Sequence, residues 1–150
     1  MNNITIRNAS KNDIPEILGL LYELERPRPK KDADVDIFRK LVKKYLSDSD
    51  KQILIATHND IEIVGMVSVM FLHRLNQINY EMYIPELIVT KDFQNKGIGE
   101  SLINSCVNLA KEKKCHRIRL ESGNQRKESH QFYANLGFEQ SSLSFTKNLD

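Results

Sequence analysis

The sequence predicts a mixed α/β domain: a sheet antiparallel at its centre, helices on both faces and one parallel strand pair. Three observations predict it. Two apolar, β-branched runs, residues 52–58 and 61–72, flank Asn59-Asp60, which is a hairpin signal. Two upstream segments carry helical periodicity, with Ile14, Ile17, Leu18, Leu21 and Leu24 on one face of the first and Ile37, Phe38, Leu41, Val42 and Tyr45 on one face of the second. Downstream, a strand-like run, a glycine-bearing hexapeptide, a helix and another strand follow in order. Within one sheet that order makes a right-handed parallel crossover.

The elements follow in turn. Ile4-Thr5-Ile6-Arg7 alternates as a strand does. Ser10-Lys11-Asn12-Asp13 has the acidic residue three places after the serine, as in a capping box, so the first helix starts there. Residues 25–36 hold two prolines and a charge cluster and are expected to be a loop. The second helix is expected over 35–46. After the hairpin, residues 80–90 read as one strand. The next helix runs from the glycine loop to about residue 113, and Arg117-Ile118-Arg119-Leu120-Glu121 is a strand. A helix over 127–136 stops at Gly137, where a left-handed cap belongs. Phe138-Glu139 and residues 143–146 are expected as closing strands, whose edge with Leu143 and Phe145 favours pairing with a second copy.

The chain's 150 residues fit one domain, 1–150, and no linker, repeat or low-complexity tract divides it. Forty per cent hydrophobic and 28% charged residues argue against disorder. A net charge of +2, without a basic stripe or aromatic platform, argues against a nucleic-acid partner. No apolar run approaches the roughly 18 residues of a membrane span. The N-terminus lacks a signal core, so the cytosol is the expected compartment. Cys106 and Cys115 make no disulfide framework, and Cys106 falls on an apolar helical stripe. His58, His73, His116 and His130 lack metal-ligand spacing, so no metal is expected.

The chemistry concentrates in Gln94-Asn95-Lys96-Gly97-Ile98-Gly99. A strand precedes it and a helix follows it, so its amides sit at a helix N-terminus, a natural cradle for a pyrophosphate. Alone, a glycine pair before a helix is equally a tight turn. The third glycine of a dinucleotide fingerprint is missing, and so is the lysine-serine/threonine ending of a P-loop.

Gln94-x-x-Gly97-x-Gly99 after Leu87-Ile88-Val89 resembles the acyl-CoA loop of the GNAT superfamily of N-acetyltransferases. A second block, His130-Gln131-Phe132-Tyr133-Ala134-Asn135-Leu136-Gly137-Phe138, resembles that family's FYxxxGF segment. The two blocks, their order and the elements around them carry the resemblance over essentially the whole chain. It implies a GNAT-like sheet whose parallel strands, 86–89 and 118–121, splay into a V. Acetyl-CoA would lie there as co-substrate, with the backbone of Leu87, Ile88 and Val89 on its pantetheine arm and Gln94, Asn95, Lys96, Gly97, Ile98 and Gly99 on its pyrophosphate.

The resemblance further implies an N-acetyltransferase acting on a primary amine by direct transfer in a ternary complex. Tyr133 matches the family's tyrosine beside the thioester sulfur, where a phenol serves the departing thiolate. The other reading of the pair, aromatic core, fits Phe132 better, since helix neighbours point about 100° apart. Many members carry an asparagine seven places before this tyrosine. Here Arg126 stands there and Asn124 lies nine before, so Asn124, Arg126 and His130 are candidate cofactor contacts, with His130 equally a helix cap. For the base that takes the amine's proton, Glu86 and Glu121 are the candidates, beside a water chain or a backbone carbonyl. Family members often dimerise, which adds to the case for a homodimer. The acceptor stays open among polyamines, amino acid derivatives, aminoglycosides and protein N-termini, and so does the length of the acyl group. Residues 26–32 are basic, which suits an acidic amine or merely a solvated loop. The rival from another class is an acyl-CoA-binding sensor without turnover, which keeps the glycine loop and needs no acid or base.

Overall fold

The computed structural model describes residues 3–24, 29–122 and 127–149. The chain forms two compact units, Met1–Arg119 and Leu120–Asp150.

The first unit opens with β1 (Ile4–Asn8) and a 3-10 turn over Lys11–Asp13. Asp13 holds that entry. Its carboxylate accepts the Ser10 amide at 2.8 Å and both arms of Arg7 at 2.9 and 3.1 Å. The Arg7 hydrogen bond is the largest influence on this carboxyl, and it keeps the group below its ordinary value. Next come α1 (Ile14–Glu23) and α2 (Asp32–Ser47). The second helix begins three residues before the expected 35, because Asp32 and Asp34 suit the positive end of the helix dipole. Of its five expected core residues, Ile37 and Leu41 are exposed, while Val42 is buried and Phe38 and Tyr45 pack against the core.

The hairpin is β2 (Lys51–His58) and β3 (Glu62–Leu72). Asn59 and Asp60 both take positive φ, 55° and 58°, as a two-residue turn of this hand requires. Strands run in the order β1-β2-β3-β4-β6, where β4 is Glu81–Ile84 and β6 is Arg117–Leu120. Between them in sequence lie β5 (Leu87–Val89), which pairs β3, and α3 (Ile98–Glu112).

The pleat of β3 divides the core. Met66 faces α1 and α2, in one cluster with Ile17, Leu18, Ile53, Ile55 and Ile88. Gly65 lies on the other face, where a Cβ would meet the Ile88 carbonyl at 3.1 Å and a Leu102 methyl of α3 at 3.3 Å. Leu102, Ile103 and Cys106 of α3 are buried. A fully buried side chain of this kind contributes roughly 1.5–3 kcal/mol by leaving water.

The expected single strand over 80–90 is in fact two. Met70, Phe71 and Leu72 pair with Tyr83, Met82 and Glu81, whereas Gly65, Met66 and Val67 pair with Val89, Ile88 and Leu87. Ser68 and Val69 therefore lie opposite Ile84, Pro85 and Glu86. Two residues against three is a β-bulge, and Pro85 has no N–H to give a ladder.

The second unit holds α4 (Lys127–Asn135) and Gly137, whose φ of 91° is the expected left-handed stop. The expected closing strands at Phe138-Glu139 and 143–146 do not form: residues 138–149 carry neither helix nor strand, and Leu143 and Phe145 are exposed. A strand exists only within a ladder, and these residues have no ladder partner among the described residues of their unit.

Glu81, fully buried at the start of β4, gathers Arg117 at 2.6 Å and Arg119 and Arg74 at 3.2 Å each. Burial pushes its carboxyl up, and the hydrogen bonds from Arg117 and Arg119 outweigh that, so the group sits below its ordinary value. Glu81→Ala is expected to cost about 2–3 kcal/mol, at the lower end for a broken buried pair because the arginines keep contact with water. A group with a depressed folded pKa stabilises above its unfolded value, near ~4.3, and loses that contribution as pH falls through the folded one. Denaturant midpoints of wild type and Glu81→Gln should thus differ at pH 7 and converge in acid below pH ~4.

Candidate active site

The bulge decides what the end of β5 can do. Ser68 N–H donates to the Glu86 carbonyl at 3.0 Å and Thr90 N–H to the Val64 carbonyl at 2.9 Å. In an antiparallel ladder such pairs alternate, so Ile88 exchanges its bonds with Met66, and the N–H and C=O of Leu87 and Val89 point away from β3. On that side β6 pairs β4 and not β5. Among the described residues Leu87 and Val89 thus have no strand partner on that side, where the Val89 carbonyl accepts Gln94 Nε2, while Ile88 is anchored twice, by its ladder bonds and by a buried side chain. β5 and β6, the two strands expected to part, are not paired with each other, and of the three expected backbone contacts Ile88 turns its groups toward β3 while Leu87 and Val89 turn theirs away.

The edge runs directly into Gln94–Gly99. Gln94 Nε2 donates to the Val89 carbonyl at 2.9 Å and ties the loop to the strand. Thr90 Oγ1 donates to the Glu23 carboxylate at 3.0 Å and ties the same point to the end of α1. Asn95 and Gly97 take left-handed conformations, with φ of 61° and 84°. Gly97 is the N-cap of α3, and its carbonyl accepts the first helical bond, from Ser101 N–H at 3.0 Å. The amides of Ile98, Gly99 and Glu100 therefore have no carbonyl a turn below them. Successive amides of this kind form an anion-binding nest. Ile98 offers only its amide, since its side chain is buried. Lys96 lies over the Phe93 ring, 5.2 Å from its centroid. A Cβ on Gly97 would meet no protein atom within 4 Å, so the position is open above the nest.

Glu86, the first base candidate, is half-buried in the bulge. Its amide donates to Ser68 Oγ at 3.0 Å, and its carboxylate accepts the same hydroxyl. Tyr45, reaching in from α2, donates to the Val69 carbonyl at 2.8 Å. Burial pushes the Tyr45 phenol well up, and the Glu86 charge adds to it. Neither Ser68 nor Tyr45 had a functional signal in the sequence. The one clue was a lone hydroxyl inside the apolar run of β3. Between α1 and α2 opens a cleft of about 340 Å³ lined by Pro15, Leu18, Tyr22, Pro29, Val35 and Arg39.

In the second unit, Glu121 is exposed just past β6. Tyr133 is half-buried on α4 and meets Phe132 and Phe138 edge-on at 5.1 and 5.8 Å. His130 is exposed on the same helix. Asn124 and Arg126 lie outside the described residues.

Cys106 is fully buried, and burial pushes its thiol up to about 12, so it holds no thiolate at neutral pH. Among the described residues, no three or more His, Cys, Asp or Glu side chains are grouped to hold a metal. No helix of the described residues is long and apolar enough to cross a membrane.

The stretch of sequence that builds this edge and nest matches a family profile, that of the acetyltransferase (GNAT) family, over residues 16–138. The chain belongs to the GNAT family of acetyltransferases. An aminoalkylphosphonate N-acetyltransferase of Salmonella typhimurium is 28% identical over 144 residues, 96% of this chain and 90% of that one. The crystal structure of a protein called a transcriptional regulator, from Bacillus halodurans C-125, superposes with a TM-score of 0.87 at 27% identity, over 97% of this chain and 99% of that one. Glucosamine-6-phosphate N-acetyltransferase from Arabidopsis thaliana gives a TM-score of 0.81 over 98% and 99% of the two chains. At 20% identity, that last likeness shows the GNAT fold alone.

The nest makes a direct prediction. CoA at a hundredfold excess over its Kd should stabilise the chain by about 2.7 kcal/mol, roughly 5–10 °C in melting temperature at this size. Gly97→Val must adopt a left-handed φ at a cost of about 1–2 kcal/mol and puts a branched side chain over the amides. Differential scanning fluorimetry should show a slightly lowered melt and no CoA shift in that variant.

Proposed function

We propose that this chain is one catalytic domain that moves an acetyl group from acetyl-CoA to the primary amine of a small acceptor, by direct attack in a ternary complex. The observation that carries the reading is the open edge of Leu87 and Val89 running into the nest at Gly97. Pantetheine is an amide-bearing chain and supplies such an edge with the ladder partners it lacks. The amides of the Gln94–Gly99 loop and the charge of Lys96 then take the pyrophosphate. The family match spans both compact units, which supports treating 1–150 as one domain.

An ammonium has no lone pair, so Glu86 takes a proton from the acceptor. The freed nitrogen attacks the thioester carbonyl. As the tetrahedral adduct collapses, the C–S bond breaks and the departing thiolate takes a proton from the Tyr133 hydroxyl. The second proton shed by the nitrogen restores the phenol, leaving the amide and the CoA thiol. Glu121 is the rival base, and Asn124, Arg126 and His130 complete the candidate cofactor contacts. With Cys106 buried and protonated, no acyl-enzyme forms there. The acceptor carries an anionic group. The aminoalkylphosphonate N-acetyltransferase likeness over 96% of the chain supports this, and so does Arg39 in the cleft between α1 and α2. The exposed Leu143, Phe145 and Leu149 offer an apolar surface for a second copy, so the chain works as a homodimer. Light scattering that returns a single 17.4 kDa species counts against that last point.

A panel of amines assayed for thiol release from acetyl-CoA tests the reading, with aminoalkylphosphonates expected to lead. No release with any amine, despite CoA binding, would favour a sensor. With a working acceptor, Tyr133→Phe should lower kcat about 10²-fold or more and leave the affinity for CoA unchanged. Glu86→Gln should lose rate at neutral pH and recover at high pH, where the amine is already deprotonated. Glu121→Gln should behave like wild type. Arg39→Ala should raise KM several-fold for anionic amines only.

A further inference from the structure

Ser68 is 2% exposed and lies between the buried Val67 and Val69. A buried hydroxyl needs partners, and this one meets Glu86 through both backbone and side chain, with the Tyr45 phenol as a further neighbour. Its Oγ accepts the Glu86 amide at 3.0 Å and donates to the Glu86 carboxylate. Its own amide donates to the Glu86 carbonyl at 3.0 Å. In an unbroken antiparallel pair, the Glu86 amide would go to the Ser68 carbonyl. At the bulge the hydroxyl takes that bond instead, and the same oxygen then reaches the carboxylate. Ser68 Oγ thereby holds both the backbone and the side chain of Glu86. Tyr45 lends rigidity from α2 by donating to the next carbonyl along β3, that of Val69, at 2.8 Å.

We propose that Ser68 is the positioning residue of the transfer reaction: through its hydroxyl it locks the Glu86 carboxylate at the bulge in the orientation from which it takes the amine's proton, and it acts on catalysis only through Glu86. The proposal rests on the reading that Glu86 is the base. Glutamate has three side-chain torsions, and an untethered carboxylate samples many positions. A displacement of the order of 1 Å at a reacting group can cost about 10²-fold in rate, so a tether on the carboxylate should register in kcat.

A double-mutant cycle tests this, with wild type, Ser68→Ala, Glu86→Gln and the double variant measured for kcat, KM for one working amine, and CoA affinity by thermal shift. Ser68→Ala should lower kcat by about 10- to 10²-fold and leave the CoA shift intact, and Ser68→Thr, which keeps the hydroxyl, should recover most of the loss. On the Glu86→Gln background, adding Ser68→Ala should change kcat less than about 2-fold, because residues that act as a unit are non-additive. An equal fold-loss on both backgrounds overturns the proposal, since packing alone would lower the rate with or without the carboxylate. A Ser68→Ala enzyme with wild-type kcat also overturns it. If Glu86→Gln alone keeps wild-type turnover at neutral pH, the base assignment itself has failed, a result distinct from either of the others. Should Ser68→Ala not fold, Ser68→Cys, of similar volume and a weaker donor, takes its place in the cycle.

Discussion

Three residues, Ile84, Pro85 and Glu86, have to fit opposite two, Ser68 and Val69, and the sheet breaks there. Much of the site follows from that mismatch. Before it, β4 pairs β3 on one side and β6 on the other. After it, β5 keeps β3 and loses β6, so its outer backbone groups are left for something else to bind. The glutamate at the break is held by a serine rather than by a regular ladder. The loop that leads to the anion nest begins only five residues beyond β5, tied back to it by Gln94. Strand edge and carboxylate are thus consequences of one irregularity in β3's partner, and the nest, built by its own left-handed residues, follows on the same chain.

The surrounding frame keeps the irregularity from spreading. Ile88 is fixed on both counts, its backbone in the ladder and its side chain in the core that α1 and α2 close. Gly65 lets α3 and β5 approach the same point of β3 from two directions, where a methyl group would crowd the Ile88 carbonyl. At the far end of β4, three arginines converge on buried Glu81, two from β6 and Arg74 from just past β3, and tie these segments together. The frame is rigid where the strands pair and open only where they part.

The hairpin, the glycine loop and the helix after it were legible in the sequence, because each rests on local chemistry. Asn59-Asp60 turns with positive φ, and Gly97 caps α3 with positive φ. The bulge was not legible as such. Residues 80–90 read as one apolar run, and although Pro85 marked a weak point, the register shift depends on what β3 presents opposite it. Ser68 and Tyr45 were silent for the same reason, since a lone hydroxyl and an aromatic helix residue gain meaning only from the partners that folding brings. Ile37 and Leu41 followed the helical period and still face solvent, because period fixes a stripe and not its width. The closing strands failed because alternation alone supplies no ladder. Which of Leu87, Ile88 and Val89 turns its backbone outward was likewise illegible, since hydrogen-bond direction depends on the register with β3.

The central claim is that the outer backbone groups of β5 are the cofactor's strand partner, and amide hydrogen exchange resolved by residue reads it directly. In the free protein, Leu87 and Val89 should exchange fast and Ile88 slowly. Saturating CoA should slow Leu87 and Val89 strongly while Ile88 stays slow throughout. Unchanged exchange at Leu87 and Val89, with CoA bound by the criterion of a thermal shift, would contradict the account.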